Sequence, residues 1–173
     1  MKSVVVYQSL WGSTAAVAQA IGEGLGKGAV VYTTTEATPE ALAGADLIVA
    51  GAPIHAFGLP SEDTLKSAQA RPIGPSAVAP NVSHKLMRTW LRDLPHGEAA
   101  VAAFDTRVGG PLGRGGASKI IKGLKRAGYR PIAEPRGFRV AMRPADPTIH
   151  GVLLEGEVER ARQWGEELRR LLG

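Results

Sequence analysis

Apolar runs and amphipathic stretches alternate along this chain from end to end. Residues 3–8, "SVVVYQ", form a continuous run with a β-branched bias, the pattern of a strand buried on both faces. Residues 14–25 carry Val17, Ile21 and Leu25 at i,i+4 spacing, a helical stripe closed by the glycines of "GEGLGKG". The same reading predicts a strand over 29–33, a short helix over "TPEALAG" with Pro39 in its first turn, and a strand over 45–53. Ser61 is placed to cap "SEDTLKSAQA"; a Pro-rich loop over 71–80 precedes a helix over 84–94. "EAAVAAFDT" predicts a fourth strand, "RVGGPLGRGG" a loop, and residues 117–127 a helix stopped by Gly128. A Pro-interrupted fifth strand over 129–141 follows, and Leu154, Val158, Ala161, Leu168 and Leu172 mark a closing amphipathic helix.

Five strands joined by helical crossovers predict an α/β fold: a doubly wound five-stranded parallel sheet in three layers, as a single domain over 1–173. Ligands of such sheets bind beyond the carboxyl ends of the strands, near the switch in strand order. The loops to watch are therefore 9–14, 53–60 and 105–116.

Composition narrows the chemistry. The 173 residues contain no Cys, which excludes disulfides, thiolate metal sites and cysteine nucleophiles. The four histidines, His55, His84, His96 and His150, have no metal-ligand spacing. No apolar run approaches a membrane span, and "MKSVVVYQS" enters a strand too early for a signal peptide, so the expected compartment is the cytoplasm. The net charge of +5 is concentrated: residues 101–150 hold ten Lys/Arg against three Asp/Glu. Nucleic acid is the first suspect for a basic segment, but aromatic residues for base stacking are almost absent and no nucleic-acid motif is present. On "SKIIKGLKRAG", Lys119, Lys122 and Arg126 share a face opposite Ile120, Ile121 and Leu124, the usual pattern of a solvated helix face.

The first strand empties into "SLWGST". No G-x-G-x-x-G follows it, as a dinucleotide fold would require, and "GRGGASK" lacks the ending of a triphosphate loop. The hydroxyls of Ser9, Ser13 and Thr14, with the amides of a helix start, make a compact uncharged nest suited to one phosphomonoester. A plain hydroxyl cap of the helix is the alternative.

Ser9-Leu10-Trp11-Gly12-Ser13-Thr14 resembles the [ST]-x-[ST]-G-x-T loop of the flavodoxin-like family, which wraps the FMN phosphate. Trp11 stands where a hydroxyl is usual, and "WGST" is similar to the flavodoxin modules of flavodiiron proteins. "DLIVAGAPIHAFGLPS", "AAFDTR", "GYRP" and "GEVERARQWGEEL" extend the resemblance over nearly the whole chain, toward small bacterial flavodoxin-like proteins. The resemblance implies the strand order 2-1-3-4-5 and FMN as cofactor. Ser9, Leu10, Trp11, Gly12, Ser13 and Thr14 would hold the phosphate. Pro53, Ile54, His55, Ala56, Phe57 and Gly58 would line one side of the isoalloxazine. Asp105, Thr106 and Arg107 would meet the pyrimidine edge or the other ring face.

Each of these positions also has a simpler reading. His55 is then a surface histidine, Phe57 loop packing, Gly58 a turn glycine rather than a peptide-flip hinge, and Asp105 a turn cap. Flavodoxins usually sandwich the flavin between two aromatics, and the third loop here has none. They are usually acidic around the flavin, whereas Arg107 and Arg114 lie in that loop. Arg107 near the ring would favour an anionic reduced flavin. The leading expectation is FMN-dependent electron transfer with a redox partner protein or a small-molecule donor or acceptor. The alternatives are a flavin-dependent oxidoreductase acting on a quinone-like or anionic small molecule, and a cofactor-free fold serving as a binding domain.

Overall fold

The computed structural model describes residues 1–55, 58–70, 79–109, 115–141 and 152–173. Parallel pairing joins β1 (Ser3–Tyr7) to β2 (Ala29–Thr33) on one side and to β3 (Leu47–Pro53) on the other. β3 pairs with β4 (Ala100–Val108). The fifth strand is split: β5 (Arg130–Pro131) and β6 (Arg136–Ala141) both run parallel to β4, at different heights along it. Pro131 and Pro135 have no N–H to donate, so the ladder cannot run unbroken through them. A short β7 (Val152–Leu153), not foreseen in the sequence, adds antiparallel to β6. The order among the described residues is β2-β1-β3-β4-β6-β7 with β5 beside β4, the expected 2-1-3-4-5 arrangement with extra strands.

The helices in chain order are α1 (Ser13–Leu25), α2 (Pro39–Leu42), α3 (Glu62–Gln69), α4 (Met87–Asp93), α5 (Gly116–Arg126) and α6 (Glu157–Leu171). Each face of the sheet has its own core, because side chains alternate along every strand. Val4, Val6, Ile48, Ala50, Val101 and Ala103 pack under α2, α4 and α5. Val5, Leu47, Val49, Ala102 and Phe104 pack under α1 and α6.

On the second face Phe104, Phe138 and Trp164 form a triangle with ring centroids 6.1 to 6.5 Å apart. Trp164 and Ala161 carry the buried side of α6, whereas Val158, predicted to lie inward, is 49% exposed. The "GEGLGKG" glycines also divide their roles. Gly26 ends α1 at φ 82°, but Gly24 lies inside the helix, where its missing side chain lets α6 approach. No helix among the described residues is long and apolar enough to cross a membrane.

Candidate functional site

β1 connects to a neighbour on one side and β3 lies on its other side, so the crevice between their carboxyl ends is the switch point of the sheet. The segment 9–14 leaves β1 there. Gly12 sits at φ 94°, a left-handed conformation that glycine adopts without strain, and turns the chain into α1. Its carbonyl accepts from the Ala16 amide at 2.9 Å. No side-chain cap closes the start of α1. By contrast, Thr38 caps α2 and Ser61 caps α3 through a capping box. Among the described residues a Cβ built on Gly12 would meet nothing within 4 Å, so the turn is open on that side of the helix start. The residue at the cap position of α1 is thus a glycine with no hydroxyl of its own.

The hydroxyls have distinct tasks. Ser9 Oγ accepts from the Gly12 amide at 3.1 Å, which holds the turn and leaves the hydroxyl proton for another acceptor. Thr14 is 2% exposed and shares a 2.7 Å hydrogen bond with the Thr106 hydroxyl, tying α1 to β4. Ser13, partly exposed, is the first residue of α1, and Leu10 is buried beneath the turn.

The sequence assigned no role to His84, yet it holds this loop. Its Nδ1 accepts the Ser9 amide at 3.2 Å, and its ring meets the Tyr7 ring edge-on at 5.7 Å. The Asn81 amide donates to the Leu10 carbonyl at 2.7 Å, and the Met87 amide to Gln8 Oε1 at 2.8 Å. These bonds keep 81–86 extended across the end of β1, which is why α4 starts at Met87 rather than at the expected residue 84. An Nδ1 acceptor requires a neutral imidazole protonated on Nε2. Burial holds the His84 pKa below its ordinary value, opposed by the charge of Glu36. Folding thus favours the neutral ring. That contribution stands above about pH 6.5 and is lost as pH falls through the lowered folded value. The Ser9 amide resonance is expected to shift on acidification with the His84 midpoint, below that of a free histidine. His84→Ala, which leaves the Ser9 amide without its acceptor, should destabilise the protein by about 1–3 kcal/mol in urea unfolding. An unchanged urea midpoint would contradict this role.

The second and third loops leave the carboxyl ends of β3 and β4 beside the crevice. Pro53 ends β3, and the Ile54 amide donates to the Thr106 carbonyl at 2.8 Å. His55 and Gly58 exchange backbone hydrogen bonds of 2.8 and 3.1 Å; Ala56 and Phe57, between them, lie outside the described residues. Across the crevice Trp11 and His55 meet with ring centroids 5.5 Å apart.

β4 runs to Val108, so Arg107 lies on the strand rather than in the predicted loop; Arg114 lies outside the described residues. Asp105 is fully buried. Its Oδ2 accepts the Ala117 amide at 2.8 Å at the start of α5, and Arg107 Nε lies 2.6 Å from Oδ1. Burial pushes the Asp105 carboxyl above its usual range, opposed first by the Ala117 amide and then by the Arg107 charge. The Arg107 guanidinium lies across the bare backbone of Gly137, where any Cβ would be 2.0 Å from it. The structure thus joins Trp11 to His55, Thr14 and Ile54 to Thr106, and Asp105 to Arg107.

No protein-family model and no curated protein matches the sequence. Solved structures do match across the whole chain. A flavodoxin from the domain Archaea superposes with a TM-score of 0.63 at 16% identity, covering 99% of each chain. Oxidised Flavodoxin 1 from Bacillus cereus gives 0.65 at 15% identity over 98% of each chain. The chain has a flavodoxin-like fold. The flavodiiron core of Flv1 from Synechocystis sp. PCC6803 also superposes, at 0.61 and 14% identity, matching 99% of this chain and 36% of that one. What the chain shares with these neighbours is the fold, over its whole length.

Proposed function

We propose that this chain binds FMN at the carboxyl edge of β1, β3 and β4 and works in electron transfer. One observation carries the reading: α1 starts on a left-handed Gly12, with open space among the described residues where a side chain would stand, at the switch point of a flavodoxin-like sheet. That arrangement fits a phosphomonoester, which needs amide donors and a positive dipole end but no lysine or arginine.

The first-turn amides of α1, with the Ser9 and Ser13 hydroxyls, hold the phosphate, while Leu10 and Thr14 fix the loop from beneath. Pro53, Ile54, His55 and Gly58, with Ala56 and Phe57, line one side of the ring, and the Trp11–His55 pair supplies its aromatic wall. Thr106 and the Asp105–Arg107 pair border the other side. Bound FMN supplies one- and two-electron chemistry at its isoalloxazine. The protein positions it, and Arg107, held by Asp105, favours negative charge on the nearby ring edge. Electrons pass to or from a partner protein or a small-molecule donor or acceptor.

A visible spectrum of the purified protein, before and after FMN addition and gel filtration, tests the reading. Retained flavin bands are expected. A colourless protein after FMN addition supports the cofactor-free alternative instead. A second reading, turnover of a quinone-like or anionic small molecule, is favoured by Arg88 and Lys119, which both approach Gly58 at the edge of the crevice. Steady-state NAD(P)H oxidation with a quinone separates it from a carrier, for which no sustained turnover is expected.

A further inference from the structure

The positive excess of the chain gathers on two packed helices beside the crevice. α4 and α5 meet where Leu91 fills the space over Gly123, a Cβ at which would lie 3.0 Å from Leu91 Cδ1. Their outward faces therefore form one surface. Lys119, Lys122, Lys125 and Arg126 are exposed on α5, as is Arg88 on α4. Lys119, Lys122 and Arg126 repeat at i, i+3 and i+7, a stripe about 10 Å long at the helical rise. At its crevice end Arg88 and Lys119 converge: a Cβ on Gly58 would lie 3.3 Å from Arg88 Nη2 and 3.5 Å from Lys119 Nζ. Arg88 is fixed there by Nε and Nη2 donating to the Leu59 carbonyl at 3.0 and 2.8 Å.

Ion pairing does not account for this charge. Among the described residues no carboxylate pairs with any of these five cations, whereas Arg136, Arg160 and Arg162 are each paired with a glutamate. Like charges three and four residues apart weaken a helix rather than support it. Two of the cations, Arg88 and Lys119, sit against Gly58, which borders the proposed ring site, where an electron-transfer partner has to approach. Trp90, the aromatic residue of α4, is 3% exposed and donates to the Ala37 carbonyl, so the surface offers no platform for base stacking.

We propose that α4 and α5 form the docking surface for an acidic face of a partner protein in electron transfer. The proposal rests on the flavin reading above. Complementary charge steers such a partner to the edge of the crevice and sets its orientation there.

The test is a titration of the protein, with and without added FMN, against three labelled probes. They are an acidic [2Fe–2S] ferredoxin, chosen for its charge, basic cytochrome c, and a DNA duplex. Running both forms keeps the docking result readable if flavin binding fails. The ferredoxin is expected to bind. Its affinity should fall about tenfold or more between about 10 mM and 0.15 M salt, as the Debye length shrinks from about 30 to 8 Å. Lys119→Glu/Lys122→Glu/Arg126→Glu should lose about tenfold or more at low salt. The neutral Lys122→Gln/Arg126→Gln should lose less, and it serves if the reversed variant does not fold. Cytochrome c should bind neither form. The proposal is overturned if the ferredoxin does not bind, binds the folded variants as it binds the parent, or is matched by cytochrome c. It is also overturned if the duplex binds more tightly than the ferredoxin and is released by the same substitutions, which marks a nucleic-acid surface.

Discussion

Gly165→Ala is expected to destabilise the protein by about 2 kcal/mol or more, although alanine is the better helix former. A Cβ at Gly165 would lie 2.3 Å from the Ile21 carbonyl oxygen and 3.1 Å from Gly24 Cα; one at Gly24 would lie 1.9 Å from the Arg162 carbonyl oxygen. Both obstacles are backbone, so no side chain can turn aside and α1 and α6 have to separate. Separation strips contacts from Trp164, which is 1% exposed against Phe104 and Phe138. Alanine gains about 1 kcal/mol of helix propensity, while overpacking a closed core costs about 1–3 kcal/mol or more; with helix separation added, the clash wins. Gly109→Ala, at a position with nothing within 4 Å among the described residues, is the control and should change stability by about 0.5 kcal/mol or less. Urea unfolding followed by tryptophan fluorescence reads both, and a Gly165→Ala midpoint equal to the parent's contradicts the packing described.

Ser13→Glu is expected to move stability and cofactor affinity in opposite directions. Ser13 is the first residue of α1, at the uncapped end. A carboxylate there meets the helix dipole favourably and adds about 0.3–1 kcal/mol. The same carboxylate occupies the potential that the FMN phosphate needs. Two unit charges about 4 Å apart repel by about 4 kcal/mol near a protein surface, before screening by salt. FMN affinity should therefore fall about 100-fold, or roughly 2.7 kcal/mol, with riboflavin affinity little changed because it has no phosphate. Ser13→Ala separates the lost hydroxyl from the added charge. Fluorescence titrations with both flavins, beside a thermal melt, measure the effect. A Ser13→Glu protein that keeps its FMN affinity places the phosphate elsewhere.

The sheet was legible because parallel strands buried on both faces read as unbroken apolar runs, as in "VVVY" and "LIVAGAP". β7 is two residues at an edge and carries no such signal. Gly24 shows a deeper limit: a glycine that stops a helix and one that admits a neighbouring helix look alike until the neighbour is placed. The loop proposed to hold the phosphate announces itself through its hydroxyls and Gly12. Its support does not, since His84 lies 75 residues from Ser9 and nothing in either segment marks the other. Arg107 was read as a loop cation because its partner Asp105 and the bare Gly137 beneath it acquire meaning only when β4 and β6 pair.

The claim at the centre is that the open start of α1 receives the phosphate of a flavin. Equilibrium quenching of FMN and riboflavin fluorescence by the same unmodified protein tests it most directly. FMN is predicted to bind about 100-fold more tightly than riboflavin, the difference being the phosphate alone. Equal affinities for the two flavins, or saturable binding of neither, would contradict it.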